Sequence, residues 1–224
     1  MLRPDDLFHI YLTIAYLYVL WRFVVPLPIS RSWRAVIAIA LFAVSKYHLI
    51  LIGLYGTMFS PEFPRPLVLL AGWLFCAFAL LFIFTLLSDL VAGAVALLCR
   101  KSVAYFIGGK ARLVIVLLAL CLSGAGTYQA VQLPGVQRVE LELPGLPQAL
   151  DGLRVVQLTD LHISKAFQAD WVGKVVERTN ALNPDLILVT GDVIDGTVEA
   201  RRHDVAPLAD LHAPMGVIAI PGNH

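Results

Sequence analysis

Residues 153–162 read LRVVQLTDLH, residues 186–192 read LILVTGD and residues 216–224 read GVIAIPGNH. Each is a short run of aliphatic, often β-branched residues that stops abruptly at charged or turn-forming ones, the pattern of a strand buried in a sheet. Between them lie two stretches of helical character. The first, about 168–182, places Trp171, Val175 and Val176 at i, i+4, i+5 and ends at Asn183-Pro184; the second runs from Val198 to about Leu211. Strands alternating with helices predict βαβ units and a mostly parallel sheet. Upstream, QRVELEL at 137–143 alternates polar and apolar residues and predicts a half-exposed strand closed by the Pro/Gly cluster at 144–147.

All three core strands end in residues that a core does not require: Asp160 and His162 after the first, Gly191-Asp192 after the second, Gly222-Asn223-His224 after the third. In an open parallel sheet, ligands bind at the carboxyl ends of the strands, so these groups are expected to converge. Asp160 and His162 are two apart, which puts both side chains on one face of an extended segment. Gly191 and Gly222 allow the sharp backbone turns by which strands leave the sheet. Carboxylates, imidazoles and one amide oxygen suit a divalent first-row ion such as Mn, Fe or Zn, and no cysteine after residue 133 offers a softer thiolate. Asp192 is placed to bridge two ions, and a pair about 3.5–4 Å apart can hold both a hydroxide nucleophile and the oxygens of an ester under attack.

Taken together and in this order, Asp160-x-His162, Gly191-Asp192 and Gly222-Asn223-His224 resemble the first three signature blocks of the calcineurin-like metallophosphoesterases. The resemblance covers about residues 153–224. It implies a binuclear phosphoesterase in which Asp160 and His162 bind the first metal, Asp192 bridges, Asn223 binds the second, and His224 assists near the leaving group. The apolar helices in front resemble the membrane-anchored members, which act on phosphoesters of the cell envelope, including lipid-linked ones. The family's later blocks, a lone histidine and a Gly-His-x-His, do not occur in this sequence, so three histidine ligands and a second sheet are missing. The expectation is therefore the N-terminal part of a truncated catalytic domain, inactive by itself. The alternatives are a non-catalytic membrane protein with a degenerate phosphoesterase-like domain, and a transport or sensing bundle centred on Lys46 and Asp89.

Composition supplies the setting. With 58% hydrophobic and 15% charged residues and a mean hydropathy of +0.77, the 224-residue chain is neither an ordinary soluble domain nor disordered, and three cysteines are too few for a disulfide-stapled module. A span needs about 20 apolar residues. Four stretches qualify: 7–25, 35–56, 67–88 extending as far as 99, and 113–131. The expected architecture is an α-helical membrane bundle of four transmembrane helices over 1–133, followed over 134–224 by a partial α/β metallophosphoesterase sandwich domain.

The net charge of +1 conceals ten Lys/Arg against four Asp/Glu in 1–133 and seven against twelve in 134–224. The acidic second half excludes the electrostatic footprint of a nucleic-acid binder. Arg22, Arg31 and Arg34 border the first interhelical loop and Arg100, Lys101, Lys110 and Arg112 the third, against Arg3 in the tail and Arg65 after the second span. The basic loops belong in the cytoplasm, which puts the catalytic domain of a cell-membrane protein on the extracytoplasmic side. Lys46 and Asp89, at similar computed depth on consecutive antiparallel spans, are expected to pair. Asp195 reads as a solvated loop carboxylate or cap, and His203 and His212 as surface residues. Cys76, Cys99 and Cys121 read as apolar packing, and Trp21, Trp33 and Trp73 as interfacial anchors.

Overall fold

A computed structural model describes residues 4–98 and 108–223; Arg3, Cys99, Arg100, Lys101 and His224, named above, lie outside the described residues. The chain forms two compact units, Met1–Ala130 and Val131–His224.

The first unit is helical throughout. Helix α1 (Pro4–Val19) runs into a π-helical turn, Leu20–Val24. Helix α2 (Arg31–Ser45) starts at Ser30, whose side chain accepts a hydrogen bond from the Trp33 N–H, and α3 (Tyr47–Tyr55) ends at Gly56 in the left-handed region, φ 74°. Helices α4 (Arg65–Leu98) and α5 (Gly109–Ala130) follow. Among the described residues, three helices are long and apolar enough to cross a membrane, or four if α2 and α3, bent by 54°, form one span. Their outward faces are apolar, with Ile39 69% and Leu97 87% exposed, while Val19, Phe23, Phe78 and Ala119 fill the interior. A surface of this kind matches lipid as its solvent. Trp73 is a packing residue rather than only an anchor: its indole donates to the Leu120 carbonyl at 3.0 Å and covers Gly124, where an added Cβ would lie 3.3 Å from the ring nitrogen. A small residue lets α4 and α5 approach there.

Two expectations for this unit are corrected. The second span is not straight: it breaks at Lys46, whose ammonium turns to Thr13 Oγ1 at 2.5 Å and the His9 carbonyl at 3.4 Å on α1. A lone cation in an apolar span must find oxygen acceptors, and α1 supplies them. Asp89 therefore does not pair with Lys46. It takes Arg22 in a two-point fork, Nε to Oδ2 and Nη2 to Oδ1 at 2.6 Å each, and accepts from the Tyr18 hydroxyl. The expectation of equal depth takes each span as bilayer-length, but α4 runs 34 residues, about 51 Å at 1.5 Å per residue, longer than the roughly 30 Å of a hydrocarbon core. Asp89 lies about three-quarters of the way along α4, beside Arg22.

The second unit holds a three-stranded parallel sheet in the order β1 (Val155–Leu158), β2 (Leu186–Thr190), β3 (Val217–Ile220). Register pairs Val156 with Ile187 and Leu158 with Val189. Leu158 packs against a core of Leu161, Ile163, Val172, Val175 and Val176, the valines coming from α6 (Ala169–Asn180). Helix α7 (Val198–Val205) passes into a 3-10 turn, Ala206–Asp210, where continuous helix to Leu211 was expected; Pro207 lacks the N–H that an α-helix would use. Strand β3, expected to be buried, is exposed along its whole length, with Ile218 and Ile220 53% and 54% exposed. The strand predicted at 137–143 does not form, and Val139 and Leu141 are each 75% exposed. Alternation says which side of a strand would be wet, but a strand also needs a neighbour's backbone groups, and none pairs with it.

A bidentate Arg–carboxylate pair is a coupled unit. In detergent-solubilised protein, Arg22→Ala and Asp89→Ala should each lower stability, with a non-additive coupling of about 1–2 kcal/mol in a double-mutant cycle read by thermal unfolding. Lys46→Ala combined with Asp89→Ala should be additive.

Candidate metal centre

The site is built by three strand ends. Beyond β1 and β2, the two departing loops are stitched together: the His162 N–H donates to Asp192 O at 3.0 Å, Ile163 N–H to Val193 O at 2.9 Å, and Asp195 N–H back to Ile163 O at 3.0 Å. An isolated parallel bridge between Ile163 and Ile194 continues the sheet for one pair. The loop after β3 is drawn in by contact between glycines. A Cβ on Gly191 would lie 2.7 Å from the Gly222 Cα, and one on Gly222 would fall 2.4 Å from the Asp192 backbone nitrogen. No side chain fits at either position, so the sequence at both is fixed by backbone proximity. Gly222 hands the chain directly to Asn223, which is exposed beside this junction.

Among the described residues, Asp160, His162 and Asp192 form one group of donors whose ligand atoms all lie within 4.8 Å of one another. All three adopt positive φ, at 54°, 43° and 48°, and Gly191 before Asp192 does so at 91°. Left-handed backbone at non-glycine residues costs of order 1–3 kcal/mol each and concentrates where geometry serves a site. Asp192 is largely sheltered, its side chain 13% exposed, whereas Asp160 is 63% exposed and His162 intermediate.

The orientation of His162 is set by Asp195. Nδ1 meets Asp195 Oδ1 at 2.8 Å, which leaves Nε2 facing Asp160 Oδ1 at 3.9 Å and Asp192 Oδ2 at 3.8 Å. The Asp195 carboxylate raises the imidazole pKa above its ordinary value against the opposing pull of partial burial, and Asp192 and Asp160 add to the rise. A carboxylate at Nδ1 keeps the proton on that nitrogen and presents the other toward an ion, an arrangement common behind metal-ligating histidines. Asp195 is thus no solvated cap. Its carbonyl also accepts from Arg201 Nε at 2.9 Å, and Arg201 is completely buried beside Asp204 at 3.6 Å. Nothing in the spacing of Asp195 marks this role; only the ring orientation does. His203, 90% exposed, and His212 stay on the surface as read.

The donor set fits a divalent cation: two carboxylates and an imidazole converge, with the imidazole's rear nitrogen held by a third carboxylate. Such crowded like charges favour a bound cation between them.

A match to the calcineurin-like phosphoesterase family covers residues 153–224, the same stretch that builds the site. The transmembrane protein with metallophosphoesterase domain of Danio rerio is 29% identical over 87% of this chain and 44% of its own length. The metallophosphoesterase YkuE of Bacillus subtilis is 40% identical over 35% of this chain and 28% of its own. The UDP-2,3-diacylglucosamine pyrophosphatase LpxG of Chlamydia trachomatis is 38% identical over 40% of this chain and 27% of its own. The chain thus spans less than half the length of these curated relatives. No solved structure matches it significantly. Apolar helices of spanning length precede the matched segment, the zebrafish relative is named as a transmembrane protein, and residues 153–224 are the stretch that carries the calcineurin-like phosphoesterase match.

Proposed function

We propose that the chain serves a membrane-anchored, metal-dependent phosphoesterase that hydrolyses phosphomono- or phosphodiesters of the cell envelope. The observation that carries this reading is the convergence of Asp160, His162 and Asp192 within 4.8 Å at the carboxyl end of a parallel sheet, with the His162 ring pre-aimed by Asp195. In this reading Asp160 and His162 hold one divalent ion, Asp192 bridges to a second, Asn223 binds the second, and His224 assists the leaving group. Bound divalent ions supply Lewis acidity and lower the pKa of water from 15.7 to about 7. The residues here do the rest: Asp192, largely shielded from solvent, would offer its carboxylate to both ions; Asp195 holds the imidazole; the glycine contact keeps the loop bearing Asn223 against Asp192.

One relative is named for a pyrophosphatase acting on a diacylglucosamine, which supports a lipid-linked phosphoester as the substrate. The bilayer is the natural partner of the first unit, with α2 and α3 as one bent span among four. Nucleic acid is not a partner, because the second half carries seven Lys/Arg against twelve Asp/Glu. Arg31, Arg34, Lys110 and Arg112 at the first and third loops support a topology with those loops in the cytoplasm and the metal centre on the extracytoplasmic side.

Two tests follow. Mn(II) binding by the full chain, read by electron paramagnetic resonance, should fall most for Asp192→Asn and by about 10–100-fold for Asp195→Asn, with Asp195→Glu recovering part of the loss. Unchanged Mn(II) affinity in Asp192→Asn would end the ligand assignment, and hydrolysis by the whole enzyme should be abolished by chelator and restored by Mn(II). In a background lacking the three native cysteines, Glu199→Cys, at a side chain 82% exposed, should react with a membrane-impermeant maleimide in intact cells. Reaction only after the membrane is opened would reverse the orientation.

A further inference from the structure

The helical unit contains an apolar cavity of about 600 Å³ between the π-helical turn after α1, α2, α4 and α5. Its wall is formed by side chains such as Phe23, Leu41, Leu74, Phe78 and Val116, and at one end it meets Gly109 and Arg112, in the first turn of α5. The volume lies within the roughly 300–1,000 Å³ typical of small-molecule sites. Arg112 and Phe23 also line a small polar recess with Arg22, Thr85, Ser88 and Asp89. Among the described residues the charges around that recess do not balance: Asp89 is held by both arms of the Arg22 fork, and Arg112, which also feels that carboxylate, adds a second guanidinium around a single negative charge. Arg112 Nη1 reaches the Pro26 carbonyl only at 3.4 Å, a long contact for a charged donor. The exposed Lys110 and the first-turn N–H groups of α5 add to the positive potential at the same end.

We propose that this cavity binds one acyl chain of an anionic phospholipid, with the phosphate of that lipid seated against Arg112. The apolar lining alone selects nothing, because in a bilayer every lipid tail is as apolar as the wall and gains little by entering. Discrimination must come from the mouth. There an excess cation stands at the end of an apolar slot, the arrangement by which basic pockets between membrane helices recognise anionic headgroups. The occupant is a lipid and not a free phosphate ester, because the slot behind Arg112 is lined by carbon and offers a headgroup alone nothing to fill it. This site lies wholly within the helical unit and is separate from Asp160, His162 and Asp192, so it stands or falls independently of the phosphoesterase reading.

The test is native mass spectrometry of the full chain in detergent, incubated with equimolar phosphatidylglycerol and phosphatidylcholine of identical chains. The wild type should retain one phosphatidylglycerol in preference to phosphatidylcholine by about fivefold or more, the scale set by one basic side chain at a lipid headgroup. Arg112→Gln should abolish the preference. Ala40→Phe, which projects a ring into the slot from an exposed lining position, should remove retained lipid of both kinds with helical circular dichroism unchanged. Equal retention of the two lipids by the wild type, an undiminished preference in Arg112→Gln, or full retention in Ala40→Phe would overturn the proposal. So would displacement of the bound lipid by millimolar glycerol 3-phosphate, which would show a site for the headgroup alone.

Discussion

The close passage of the Gly191–Asp192 and Gly222 backbones is the constraint on which the second unit depends. Two strand ends can approach to within a Cβ's reach only if neither carries one, and the same contact delivers Asp192 into the space between three loops. Its carbonyl then takes the His162 N–H, which fixes the first loop to the second. A single junction thereby sets the separation of donors that are about 60 residues apart in sequence, and it does so through backbone atoms, whose positions do not depend on rotamer choice. A side-chain network could have been reached in several ways; a glycine contact closed by a main-chain hydrogen bond has far fewer.

The helical unit answers to a different solvent. Apolar surface there faces outward and costs nothing in lipid, so the few polar groups carry the specification of the fold. Arg22, Asp89 and Tyr18 tie α4 to the end of α1, and Lys46 ties the α2–α3 break to α1 through Thr13 and His9. Arg22, Lys46 and Asp89 have thus each found oxygen or an opposite charge. Packing supplies the remainder, as where Trp73 covers Gly124 and donates to a carbonyl of the neighbouring helix.

The three strands that make the sheet were legible because a run of aliphatic residues ending at Asp, Gly or Asn carries its extended character and its terminus in the local sequence, whereas burial depends on what covers the strand, and β3 is exposed. Asp160, His162 and Asp192 were legible as a group for the same reason. Asp195 was not: it lies three residues beyond Asp192 on a turn, and its function arises from which ring nitrogen of His162 it touches, a fact of tertiary geometry. The 137–143 segment misled because alternation reports a wet and a dry face and says nothing about a hydrogen-bonding neighbour. The Lys46–Asp89 pairing does not form because depth counted along isolated helices ignores where each helix ends and which other charges lie within reach; α4 is longer than a single span requires, and Arg22 takes Asp89.

The site also explains why the fold tolerates what looks unfavourable in isolation. Asp160, Asp192 and Asp195 converge on a single imidazole, so even with His162 protonated the cluster keeps an excess of negative charge. Three of its residues further adopt backbone conformations that non-glycine side chains disfavour. Neither feature stabilises the sheet, and the core of Leu161, Ile163 and the α6 valines does not require either. Both are held in place by the surrounding backbone bonds and by buried Arg201, whose guanidinium donates to the Asp195 carbonyl. Strain and like-charge repulsion maintained by a rigid frame leave a position in which a divalent cation relieves the electrostatic cost, so the cost of assembling the donors is met in folding rather than at binding.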